Sequence, residues 1–188
     1  MGHPRRLLRF CVAALFVLEP ALAQSKTQKV FLLEDVGSDQ WCAYDSESTW
    51  DATVQRLQAM TVGTLTYADD HLSRIDVTET DESGDWMVYD HYFLDGRGRL
   101  VKLLRLINVL PGDRSVEQTY VISAGKAIKT KRTDKELSTG KPMVSPESVW
   151  LPNLPIKTKT TMFPFSALLA RPDFREAAKV CVRTRSTQ

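Results

Sequence analysis

The chain has 188 residues, with 25 Lys and Arg against 23 Asp and Glu, three Cys and 43% hydrophobic residues. That length suits one domain with a real core, and the balanced charge without clustered lysines or arginines excludes an electrostatic footprint for nucleic acid. The charge is unevenly spread: residues 24–95 carry 15 acidic and 4 basic side chains, residues 96–188 carry 18 basic and 7 acidic. Two readings fit this division, acidic strands pairing with basic ones or an electrically polar surface that orients a partner.

Residues 1–23 read as an export signal. Arg5, Arg6 and Arg9 precede an apolar run over 10–18, Pro20 breaks it, and Ala21 and Ala23 supply the small −3 and −1 residues for cleavage before Gln24. The apolar run is shorter than the about 20 residues a spanning helix needs. The expected mature chain, 24–188, is a single α+β domain of 165 residues with no membrane span. General secretion is expected over a twin-arginine route, and the location is the periplasm or the exterior.

Two cysteines survive processing, Cys42 and Cys181. In an exported chain such a pair reads as a disulfide, with two separate free thiols as the alternative. It would enclose 138 residues, for which loop-closure entropy gives at most about 4–5 kcal/mol. Thioredoxin-like chemistry would want a close Cys-x-x-Cys, which is absent.

After a loose tail at 24–28, residues 30–33 are apolar enough for a short strand, and Trp41, Cys42 and Tyr44 are expected in the core. Ser48 to Asp51 has capping-box spacing, and Trp50, Val54, Leu57 and Met60 follow at helical intervals, which predicts a helix over 49–60. Residues 63–67 and 72–79 form a hairpin around Ala68-Asp-Asp-His71. An aromatic run, Trp86 to Leu94, is followed by a turn at Asp95-Gly-Arg-Gly98, a long strand over 99–110, a turn at Pro111-Gly-Asp113, and strands over 116–123 and 127–130. The expectation is an antiparallel meander of about five or six strands with one N-terminal helix packed on it. The long strand is apolar on both faces, Leu100, Leu104 and Leu106 on one and Val101, Leu103 and Ile107 on the other, so both need cover. Residues 133–141 read as a loop, 144–155 as an irregular segment whose three prolines remove strand donors, 166–170 as a helical turn or two, and 172–179 as a short helix before a solvated end.

A weak repeat relates Tyr92-Phe-Leu-Asp and Arg99-Leu-Val-Lys102 to Tyr120-Val-Ile-Ser and Lys126-Ala-Ile-Lys129. Two copies fall short of an array, and two hairpins answering the same physical demands explain them. A helix followed by a long meander is compatible with the cystatin-like or nuclear-transport-factor-like plan, an analogy of architecture with no motif behind it.

No Gly-x-Ser-x-Gly elbow, phosphate loop or dinucleotide fingerprint occurs, so no cofactor is implied. His71 and His91 each follow an aspartate, but Asp90 and His91 are adjacent on a strand and so point to opposite faces; neither metal ligation nor acid–base catalysis is the preferred reading. Trp86, Tyr89, Asp90, His91, Tyr92 and Tyr120 are the candidate pocket lining beneath a curved sheet. The expected function is a non-enzymatic exported binding or interaction module for a protein or a small apolar ligand. The alternative is a small cavity hydrolase or isomerase working through Asp90 or His91.

Overall fold

A computed structural model describes residues 27–144, 150–171, 175 and 178–183. Ala21, Ala23 and Gln24, where signal cleavage is expected, lie outside the described residues, as does most of the helix expected at 172–179. Strands β1 (Thr27–Asp35) and β2 (Gln40–Tyr44) form a hairpin, and helix α1 (Glu47–Leu57) follows. Six strands then run in succession: β3 (Thr61–Ala68), β4 (His71–Thr80), β5 (Trp86–Leu94), β6 (Leu100–Val109), β7 (Arg114–Ser123) and β8 (Lys126–Glu136). Helix α2 (Ser166–Leu169) and strand β9 (Lys179–Arg183) complete the fold. All nine strands belong to one sheet, ordered β8-β7-β6-β5-β4-β3-β1-β2-β9, with antiparallel pairing throughout.

The α+β class holds, but the sheet has nine strands where five or six were expected. The difference lies at its edges. The tail at 27–28 is already strand, because Thr27 and Gln28 pair with Ala68 and Tyr67. Trp41, Cys42 and Tyr44, read only as core, are a strand buried on both faces, which hides the alternation that would have marked it. The loop expected from 133 onward is the end of β8, whose Thr133 and Asp134 pair with Glu117 and Val116. Lys179–Arg183 is an edge strand beside β2 where a helix end and a solvated tail were expected.

Hairpin chemistry follows the turn residues. Asp69 and Asp70 both take positive φ (48° and 65°), as do Ala124 and Gly125 (49° and 73°), the geometry a two-residue turn needs to match strand twist. At 95–99 only Gly98 of the two glycines has positive φ; the Asp95 carboxylate closes this turn by accepting from the Arg97 and Arg99 amides and the Arg99 guanidinium. These bonds hold the exposed Asp95 carboxyl down at about 2. Helix α1 starts two residues earlier than expected, and Ser48 is turned to the Ser46 hydroxyl instead of closing a capping box.

Cys42 and Cys181 are joined by a disulfide. They face each other directly across β2 and β9, with Cα atoms 4.0 Å apart. Cross-strand opposition sets this close spacing, below the usual 4.4–6.8 Å range. The bridge therefore fastens β9 to the sheet.

The two faces are covered differently. On one, Phe31, Leu33, Cys42 and Tyr44 meet Trp50, Val54 and Leu57 of α1, and the Trp50 indole N–H donates to the Leu32 carbonyl at 2.8 Å. Helix α1 packs mainly on β1 and β2, so beyond that end the helix face carries Tyr89, His91, Leu104 and Leu106 half-exposed. The other face is crossed by residues 150–170, here called the strap. Phe163, Phe165 and Leu168 bury against Val30, Leu32, Trp41, Tyr92 and Leu103, while Leu151 and Leu154 pack on Val88, Ile107 and Val116. The prolines that excluded a strand at 152 and 155 thus shape a covering segment.

Candidate functional site

Strand alternation decides which residues share the strap face. One row across the sheet pairs Leu32, Gly63, Val77, Asp90, Arg105, Gln118 and Arg132 in succession. The adjacent row pairs Thr61, Glu79, Val88, Ile107 and Val116, and at its β1 end Glu34 faces Trp41. Gly63 is required in the first row: a Cβ there would stand 2.8 Å from the Asp76 carbonyl oxygen.

Asp90 and Arg105 lie opposite each other, each 5% exposed, and form a two-pronged ion pair with both N–H···O distances at 2.7 Å. The remaining guanidinium arm donates to the Leu154 carbonyl at 2.9 Å, and the Tyr92 hydroxyl donates to Asp90 at 3.3 Å while accepting from the Lys157 amide at 3.1 Å. A buried charge pair is tolerated only when its other valences are answered. Here the Leu154 carbonyl answers Arg105 and the Tyr92 hydroxyl answers Asp90 while holding the Lys157 amide, so the same network neutralises the pair and fixes the strap. Burial, and next the Asp90 charge, push the Tyr92 hydroxyl above its ordinary value.

Beside this network the strap leaves a cleft of about 190 Å³. Its back wall is a chain of rings: Trp41 on Phe165 (centroids 4.8 Å), Phe165 on Phe163 (5.1 Å) and Phe163 edge-on to Tyr92 (5.1 Å). Its floor carries Glu34, Thr61, Val77 and Glu79, and Lys157 closes it from the strap side. Among the described residues neither Glu34 nor Glu79 has a hydrogen-bond or ion-pair partner. Burial first, and then the Asp90 charge, raise the Glu79 carboxyl above its ordinary value; Lys157 and Arg105 act against them. The Trp41 indole N–H, on a side chain only 1% exposed, is likewise without a partner.

The expected pocket residues divide between the faces. Asp90 and Tyr92 line this cleft; Tyr120 lies on the same face one strand beyond Leu103, in a shallower hollow with Arg105 and Gln118. Trp86 is at the far end of the strap beside Trp150. Tyr89 and His91 are on the helix face, where the His91 Nδ1 lies 2.6 Å from Asp76. Asp90 and His91 are therefore not assembled as a pair, and His71 is exposed at a hairpin tip. Among the described residues no three His, Cys, Asp or Glu side chains gather as a metal-holding group, and no described helix is long and apolar enough to cross a membrane.

Sequence reasoning missed Glu34, Glu79 and Trp41 as a group. They are 45 residues apart at the extremes and meet only because β1 inserts between β2 and β3. Asp90 and Arg105 carried a local signal, since polar residues stand where β5 and β6 otherwise bury apolar ones. Compared with family models, curated proteins and solved structures, the chain matches none.

Proposed function

We propose that this protein is an exported, disulfide-clipped binding module that takes a small molecule in the cleft between strap and sheet. The observation that carries the reading is the pair of unpartnered carboxylates, Glu34 and Glu79, beneath an aromatic wall. Polar groups half-withdrawn from water without partners are costly, and a site with a few convergent polar groups on apolar walls is how small ligands are held. The cleft's neighbours are cross-linked: Asp90, Arg105 and Tyr92 tie the strap above it to the sheet, and the Cys42–Cys181 bridge ties β9 to β2, the strand that carries Trp41. Such preorganisation favours binding because little ordering remains to be done. Export to an oxidising compartment agrees with the disulfide and with the N-terminal sequence pattern.

Two measurements test this. A fragment screen on isotope-labelled residues 24–188, read from backbone amide shifts, should give hits that move Thr61, Val77 and Glu79 together. A screen in which no hit maps to those amides refutes the cleft. Alkylation and mass spectrometry of cell fractions should find Cys42 and Cys181 bridged in exported material; two alkylated thiols there refute the compartment.

A further inference from the structure

We infer that the cleft selects a small organic cation, an ammonium group on a compact apolar body. The inference rests on the small-ligand reading above and adds the charge of the ligand. Four charged groups bear on Glu79: Asp90 and Glu34 on the sheet, Arg105 beside Asp90, and Lys157 on the strap. Asp90 and Arg105 cancel each other in a two-pronged pair. Glu34 and Glu79 are then answered by Lys157 alone, which reaches neither of them as an ion pair. One negative charge is left over in a half-buried site.

Geometry favours an ammonium as the group that answers it. Glu79 pairs with Thr61, Glu34 lies one step beyond the Leu33–Val62 pair on the other side of that strand, both line the cleft, and the Glu34 charge bears on Glu79. An ammonium has three donors and can reach acceptors on both sides together. The walls above the floor, Phe163 and Phe165, offer ring surface that attracts cations and covers an alkyl body. The buried Trp41 wall sits behind Glu34, across the β1–β2 pair. An anion would meet two carboxylates there, and a neutral ligand would leave the excess charge uncompensated.

Proton linkage follows. Because burial and the Asp90 charge raise the Glu79 carboxyl, the free site holds this proton more tightly than an ordinary glutamate does, and a bound cation favours the ionised form. Cation binding therefore releases protons, and affinity falls as pH is lowered through the raised value.

The test uses three probes with one apolar body: n-butylamine, n-butanol and butyrate, titrated into residues 24–188 and followed by the Thr61, Val77 and Glu79 amide shifts. Butylamine should bind at least about tenfold more tightly than butyrate, with butanol between them, as expected for a charge-assisted contact. Glu79→Gln and Glu34→Gln should each weaken butylamine by about tenfold while leaving butanol unchanged and the fold intact by its amide spectrum. Butanol or butyrate binding at those amides as tightly as butylamine overturns the cation and leaves the small-ligand reading standing. No shift with any of the three overturns both.

Discussion

The Asp90–Arg105 pair gives the sharpest test of how the strap is held. Arg105→Met replaces the guanidinium with an apolar side chain of similar reach. It leaves a carboxylate that is 5% exposed with only the Tyr92 hydroxyl, and it deprives the Leu154 carbonyl of its donor. Removing one partner of a buried pair costs about 3–5 kcal/mol, and the lost strap bond adds about 1 kcal/mol. Total stability for a domain is about 5–15 kcal/mol, so the variant should be strongly destabilised yet foldable at low temperature. The double change Asp90→Leu with Arg105→Met removes the stranded charge and should be more stable than Arg105→Met alone, a non-additivity expected for groups in contact. Urea unfolding of residues 24–188 reads both quantities. An Arg105→Met unfolding free energy within about 1 kcal/mol of the parent, with unchanged slope, would refute the claim that the pair is desolvated and shared with the strap.

Reducing the Cys42–Cys181 bridge should lower the melting temperature. Cys42→Ala and Cys181→Ala should match, and their combination should cost little more than either, because all three remove one cross-link; clearly additive losses would contradict it. Gly63→Ala should cost about 1–3 kcal/mol by overpacking, since the new methyl group stands 2.8 Å from the Asp76 carbonyl oxygen; a neutral thermal shift would show that the close approach relaxes freely. Glu79 carries a raised carboxyl, so the folded state holds its proton more tightly than the unfolded chain. Stability tied to Glu79 is thus fully present below the ordinary glutamate value and lost as pH rises through the raised one. Glu79→Gln should flatten that segment of the stability–pH curve, and an unchanged curve would refute the shift.

The central hairpins were legible because their signals are local. Aromatic and β-branched residues, Asp-Asp and Ala-Gly turns and the breaks at 95–98 and 111–113 lie within a few residues of what they specify. The repeat has the same origin. Tyr92 and Tyr120 flank Leu103 from either side, and each hydroxyl bonds a residue two positions back on its own strand, Asp90 or Gln118. The edges were not legible, because β2 is apolar on both faces and β9 is defined by a partner 139 residues away. Charge division was only partly a matter of strand pairing. Asp90–Arg105 and Asp95–Arg99 join the acidic and basic halves at the β5–β6 seam and Arg175–Asp70 joins them at the β3–β4 tip, whereas Arg74–Asp76, Arg132–Asp134 and Lys135–Glu117 pair within a half.

That seam explains where the cleft lies. The apolar strap needs apolar sheet beneath it, and on β6 and β7 it finds Ile107, Leu103 and Val116. At β5 and β6 it meets a charge pair, which it covers by lending backbone groups, the Leu154 carbonyl to Arg105 and the Lys157 amide to the Tyr92 hydroxyl that bonds Asp90. Prolines at 152 and 155 suit this use, since an extended segment without its own ladder keeps carbonyls free to accept. Past Lys157 the chain must turn to bring Phe163 and Phe165 back onto Trp41 and Tyr92. Glu34, Thr61 and Glu79 lie in the angle of that turn, beside the ion pair and under the rings. A polar floor left uncovered by an anchored strap is therefore a product of how the strap is fastened. Asp90→Leu with Arg105→Met should loosen the cleft even where it preserves stability, and butylamine binding in that double variant, weakened while Glu34 and Glu79 are untouched, would separate anchoring from contact.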